Sequence, residues 1–298
     1  MFLLDTLTKT LFYTFLAGSM LGIGLRISKD DLLAVVRDRS WLVRTLIVNF
    51  LLIPAVGVLA AKTFALKPEN ALALILLSCA PGGLGALQFL TKTREEKILA
   101  YSGATAFLLS FLSVIVSPFL ISFALPKGLT LTVPYLNAAL YLILFAILPL
   151  VLGMVVNEKA EAVARKLAGP ITWIATLAFV GVIVKTQALS KWAKAESGAR
   201  VLIGVILLIL VSMLIGWILG GPRKGTRAVL ATASSMRNVA LALGIAARSF
   251  PDLPVLTPLV VFASVMAPAN LLLMAVLKVA GKRGKKPAEH NPSAPRSR

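Results

Sequence analysis

Residues 231–243 read ATASSMRNVALAL, with one arginine, Arg237, among small and apolar neighbours and with Thr232, Ser234, Ser235 and Asn238 close by in sequence. A guanidinium is always charged and offers five N–H donors in a fixed fork, so it suits the gripping of carboxylates, anions or carbonyl oxygens. A second stretch, APGGLGALQF at 80–89, joins Pro81, which has no backbone donor, to Gly82 and Gly83, which leave the chain unconstrained, with the amide of Gln88 beyond them. These groups hold charge and dipoles; they do not make or break bonds. The chain has one cysteine (Cys79) and one histidine (His290). Ser-His and Cys-His catalysis, soft-metal sites and internal disulfides are therefore not expected, nor is any cofactor.

Such residues need a frame, and composition describes it. Of 298 residues 58% are hydrophobic and 14% charged, with a mean hydropathy of +0.89. A soluble domain of this length carries far more polar residues. Apolar runs of about 20 residues recur, each long enough for a hydrocarbon core of roughly 30 Å. They are solid rather than alternating, which excludes a β-barrel. The pattern predicts an all-α polytopic membrane protein with nine spans, at about 9–27, 41–61, 69–91, 98–124, 135–155, 170–189, 201–220, 227–248 and 256–278. Pro170 after Gly169 reads as a helix start. Pro118 and Pro149 should kink their spans. Trp41, Trp173, Trp192 and Trp217 lie near span ends, as interfacial anchors do. The early acid Asp5 and the lack of a basic leader indicate that the N-terminal stretch runs into the first span.

The net charge of +19 does not point to nucleic acid, because the basic residues sit in short loops where lipid headgroups account for them. With nine spans, loops on one side carry twenty-one Lys and Arg and those on the other eight; Lys185 and Arg237 remain inside spans. The bias predicts a cell (inner) membrane protein with its N-terminus outside and a cytoplasmic C-terminus. Lys185 lies near a span end, where snorkelling accounts for it. Residues 279–298 read as a disordered basic tail.

The third span is broken at Pro81-Gly82-Gly83 and the eighth by its run of polar residues. Freed backbone at membrane depth is tolerated only against protein or a water-filled cavity. One interrupted span in each half is the pointer to a secondary transporter with inverted repeats. The repeats expected here are about 9–124 and 170–278, linked by the span 135–155, together forming one transmembrane domain over 1–278.

The run LAGSMLGIGLRISKDDLLAVVRDRSWLVRTLIVNFLLIPAVGVLAAKTFALKPENALALILLSCAPGG (17–83) resembles the bile acid:sodium symporter family, above all in its Cys-x-Pro-Gly-Gly crossover, and the likeness continues through Met236 and Asn238. It implies a nine-helix member, a core domain with two crossing unwound helices, and a smaller panel domain. It also implies two sodium sites beside the crossover, but most of the ligands are missing. The Ser and Asn after Pro-Gly-Gly fall at Ala86 and Leu87. The Ser and Thr of the next helix become Ser102, retained, and Ala106, with Thr105 adjacent. A Gln becomes Asn49. The glutamate shared by both sites becomes Ala233, and a Gln becomes Arg237. Sodium wants several oxygen ligands, preferably with a carboxylate. A guanidinium about 4 Å from a cation costs on the order of 4 kcal/mol at an effective dielectric of 20. No sodium is expected at either family site, of which Ser102, Thr105 and Met236 are the remnant.

Arg237 lies ten residues into its span, about 15 Å deep at ~1.5 Å per residue. All twelve acids fall at span ends, in loops or in the tail. Two partners remain for the guanidinium: the freed carbonyls and side-chain oxygens at the crossover, where it replaces the cation, or an anionic substrate gripped bidentately. The same census leaves no acid or histidine for proton coupling. The expected function is alternating-access transport of small or amphipathic organic anions without sodium, with Asn238, Arg237, Ser235, Ser234, Gln88, Asn49, Pro81, Gly82 and Gly83 at the substrate. The competing readings are a sodium-coupled symporter with other ligands, a channel, and a non-transporting membrane sensor; an enzyme has the least support.

Overall fold

The computed structural model describes residues 6–82, 96–125, 140, 143–186, 198–250, 255–256, 258–266, 268, 270 and 272. Among them the regular elements are all helices, joined by turns and short irregular links, with one isolated bridge between Pro81 and Arg237. In chain order the helices are α1 (Thr6–Gly24), α2 (Lys29–Arg37), α3 (Arg39–Ile47), α4 (Ile53–Thr63), α5 (Pro68–Ser78), α6 (Glu96–Ala124), α7 (Leu148–Lys159), α8 (Glu161–Thr186), α9 (Gly198–Leu219), α10 (Lys224–Ser235) and α11 (Val239–Ser249). Residues 258–266 are also helical. The tail at 279–298 lies outside the described residues.

Four helical segments among the described residues are long and apolar enough to cross a membrane: Arg39–Thr63, Tyr101–Ala124, Glu161–Val182 and Arg200–Leu219. Thr6–Gly24 and Lys29–Arg37 qualify together as a fifth, bent by 79° between them. The bend has a local cause. Ser28 and Asp31 form a reciprocal capping box that starts α2 afresh, and Asp38 then caps α3 by accepting from Trp41 N at 3.0 Å. Outward-facing side chains are apolar: Leu59 is 65% exposed, Phe123 76% and Ile218 63%. In water that surface would aggregate, whereas in lipid it is the ordinary outer face.

Two π-helical turns interrupt the pattern, Val48–Leu52 before α4 and Ile143–Ile147 before α7. Each precedes a proline at the start of the next helix, Pro54 and Pro149. A proline inside a helix lacks its N–H and crowds the carbonyl four residues back, and a π turn absorbs both. Asn49 lies inside the first of them.

Two expectations need correction. Pro170 does not start a helix: α8 runs from Glu161 to Thr186 with Pro170 inside. One lost backbone bond costs about 3 kcal/mol. The preceding turns outweigh it by burying Ala164 and Ala168 against Leu25, and the exposed pair Glu161–Arg165 at 3.1 Å adds a little. Trp41 is no lipid-facing anchor. It is buried, its indole N–H donates to Thr105 Oγ1 at 3.2 Å, and its ring meets Tyr101 edge-on at 5.7 Å.

Helices α1, α7 and α8 pack on one another, α9 packs on both α4 and α10, and α11 packs on α5; the bridge between Pro81 and Arg237 joins the ends of α5, α10 and α11. These three are short, eleven or twelve residues each. Each is too short to cross a membrane alone, and their ends meet.

Candidate functional site at the helix crossing

Helix α5 stops at Ser78 because Pro81 and Gly82 follow. Gly82 has φ +91°, and a Cβ there would lie 2.6 Å from Ser110 Oγ and 2.7 Å from Ser110 N. Only glycine meets both demands. Helix α10 stops at Ser235, and Met236 is extended with ψ 114°. The two extended pieces lie antiparallel: Asn238 N donates to Ala80 O at 2.8 Å beside the Pro81–Arg237 bridge. A proline suits this position because one residue's pairing requires no long ladder. Asn238 then starts α11, its side-chain oxygen accepting from Leu241 N at 3.0 Å.

This geometry leaves two helix C-termini, α5 and α10, pointing into one place. The last carbonyls of a helix have no partner within it, and the aligned peptide dipoles leave about half a negative charge at each such end. Arg237 sits between them, 4% exposed. Its Nε donates to Leu77 O at 3.0 Å, and one terminal nitrogen donates to Ser78 O. The other donates to Asn49 Oδ1 at 3.0 Å and to Ser234 O at 3.3 Å. One positive charge thus meets roughly one negative charge's worth of dipole.

The remaining polar residues brace this centre. Asn49 Nδ2 donates to Thr45 O at 3.0 Å and to Ser234 Oγ at 3.3 Å. Ser235 Oγ bonds Thr232 O and the side-chain oxygen of Asn270. Asn238 Nδ2 faces Met20 Sδ at 4.0 Å. Of the residues singled out in the sequence, Arg237, Asn49, Ser234, Ser235, Asn238, Pro81 and Gly82 gather around the crossing. Gly83 and Gln88, like Ala86 and Leu87, lie outside the described residues. Ser102 and Thr105 are fully buried on α6, and Thr105 is tied to Trp41. Met236 is the cap residue of α10. Ala233 is buried against Leu109, with Phe50 packed beside them, so the space next to it is apolar. The sequence reading missed Asn270 and the carbonyls of Leu77 and Ser78. Asn270 was legible as the one amide in its apolar segment; the carbonyls were not, since every residue carries one.

Comparison with known proteins gives this arrangement its context. The model of the Sodium Bile acid symporter family matches residues 13–192, more than half of the chain. The chain belongs to the sodium bile acid symporter family. Family members are transporters, not enzymes, so the chain is a multi-pass secondary transporter of the sodium bile acid symporter type. Among its relatives is a protein of Bacillus subtilis (strain 168) named as an uncharacterized sodium-dependent transporter, 25% identical over 246 residues, which cover 80% of this chain and 74% of that one. Another, from Oryza sativa subsp. japonica, is named as a probable chloroplastic sodium/metabolite cotransporter. It is 24% identical over 233 residues, 76% of this chain and 53% of the relative, so the chain spans about half of that protein's length. The family match ends before the second half of the crossing, where Arg237 stands.

Proposed function

We propose that the chain carries organic anions by alternating access and binds no sodium at the family's two sites, because Arg237 does there what a bound cation would do. The observation behind this is the guanidinium's four acceptors. Three are backbone carbonyls at the ends of α5 and α10 and the fourth is the Asn49 amide, the kind of oxygen set that coordinates a metal ion at half-helix C-termini. A cation fixed by a covalent bond cannot leave with the substrate, so no sodium gradient is spent. Ala233, in its apolar setting, removes the carboxylate that a metal ion would want.

In this reading the finer architecture is the nine-span fold with inverted repeats: α1, α7 and α8 form the panel, and the crossing lies in the core. The N-terminus is outside, in an inner membrane. The substrate is a carboxylate or similar anion that approaches the crossing near Asn238, Ser235 and the 80–83 segment. Without a coupled ion the flux is downhill, and a membrane potential drives a monovalent anion with about 2.3 kcal/mol per 100 mV. Efflux from a cell that is negative inside follows.

The test is flux in reconstituted vesicles, across a panel of carboxylates and sulfonates, with sodium or with choline as the only monovalent cation. Equal rates in both, with uptake driven by an inside-positive potential, support the proposal. A second reading, sodium coupling through other ligands, draws on the names of both relatives. Accumulation that requires sodium establishes it and removes the first.

A further inference from the structure

An apolar groove of about 370 Å³ runs along the outside of the molecule between α1, α7 and α8, lined chiefly by Ala17, Leu21, Leu148, Leu152, Ile171 and Ile174. It faces outward: Leu148, Leu152 and Ile174 are each about half exposed. From the level of Thr14 to that of Leu21 it measures about 10 Å at ~1.5 Å per residue. One turn past Ile171 on α8 lies Ala168, and just past Leu21 on α1 lies Gly22. Carbonyls of both accept from the same side chain, Arg26, the Ala168 bond being 3.0 Å. Arg26 is half-buried, and among the described residues no carboxylate lies within ion-pair distance of it. Two of its five N–H groups are used by these bonds and three remain.

A lipid-facing slot with an uncompensated cation at one end has the shape and charge of an amphipathic anion. We propose that it is a binding site for an anionic phospholipid, with one acyl chain along the groove and the phosphate on Arg26. The lipid is favoured over a soluble phosphate because the slot is apolar along its length and open to the bilayer. It is favoured over a transported substrate because none of the groove's lining residues hydrogen-bonds Arg237 or Asn238 at the crossing. Basic residues at the cytoplasmic ends of membrane helices commonly hold such headgroups.

The full chain, purified in detergent, is assayed by native mass spectrometry and thermal unfolding. The probes are phosphatidylglycerol, phosphatidylcholine with the same acyl chains, and sn-glycerol 3-phosphate. The expected result is retention of one phosphatidylglycerol per chain and a rise in midpoint of about 3 °C or more, as ligand linkage requires at saturating lipid. Phosphatidylcholine and glycerol phosphate should give neither. Arg26→Gln and the groove-filling Leu152→Trp should each abolish the difference between the two lipids, and Arg26→Lys should keep part of it. Because Arg26 also joins α1 to α8, Arg26→Gln can fail to fold. Leu152→Trp, at an exposed position with the guanidinium intact, then decides alone. Equal effects of the two lipids, a full shift from glycerol phosphate, or unchanged selectivity in Leu152→Trp would overturn the proposal.

Discussion

Replacing Arg237 with glutamine tests the central argument most directly, because the acceptors are known one by one. The guanidinium serves Leu77 O, Ser78 O, Ser234 O and Asn49 Oδ1. A glutamine amide has two N–H donors, and Leu77 O keeps a second donor in Ala80 N at 3.1 Å, so at least one of the other three acceptors is left bare in a place without bulk water. An unsatisfied buried acceptor costs about 1–3 kcal/mol. On the scale of ~2–4 °C per kcal/mol for chains of 150–250 residues, the unfolding midpoint should fall by at least about 2 °C in sodium-free detergent solution. The same substitution uncovers the two negative helix ends. Sodium should then enter: at 100 mM, a site with a dissociation constant of about 10 mM returns RT ln 11, about 1.4 kcal/mol. The variant's midpoint should therefore rise by roughly 3 °C between choline and sodium buffers, while the native protein's does not move. A midpoint within about 1 °C of native in the absence of sodium would refute the account of Arg237 as the piece that holds the crossing. A native protein stabilised by sodium as much as the variant would refute the claim that the cation sites are already filled.

Arg237→Lys keeps the charge but not the fork. It should be less stable than native by about 1–3 kcal/mol, since a single ammonium does not span both helix ends and leaves a buried carbonyl unserved, and differential scanning fluorimetry measures it. Gly82→Ala should reduce the yield of monodisperse protein severely in fluorescence-detected gel filtration. The double variant Gly82→Ala/Ser110→Ala should not restore it, because the clash includes Ser110 N and the φ of +91° remains. Gly57→Ala places a methyl 2.2 Å from Ser78 Oγ and 2.3 Å from its Cβ, forcing α4 from α5 at the turn whose carbonyl Arg237 holds. The expected loss is about 1–3 kcal/mol, largely recovered in Gly57→Ala/Ser78→Gly by the same thermal assay. Trp41→Phe removes the bond to Thr105 and should cost about 1 kcal/mol without changing sodium sensitivity.

Much of the crossing was legible from the chain itself. Pro81 beside Gly82 disfavours a continuous helix by removing a donor and freeing the backbone, and the polar run 232–238 is ill suited to face lipid. The lack of any acid at the depth of Arg237 follows from the positions of twelve residues. What surrounds those breaks was not legible. That Arg237 would turn toward the ends of α5 and α10 depends on how the two half-helices aim, and tertiary packing sets that direction. Asn238, a candidate substrate contact, also caps α11 with its oxygen, a local role that any asparagine at a helix start can take. Trp41 and Pro170 misled for one reason: position along a span says how deep a residue lies but not which neighbour it meets, and in both cases that neighbour decided the outcome.

The π turn at Val48–Leu52 holds one residue more than an α-helical turn would need; it contains Asn49, on the guanidinium, and precedes Gly57, on Ser78. Removing a single residue there would let the segment relax into regular α-helix and would rotate everything after it by about 100°, one residue's share of a turn. Gly57 would swing off Ser78 and a bulkier side chain would take its place, so this extra residue acts as the phase setting that keeps both ends of one helix in register with the crossing.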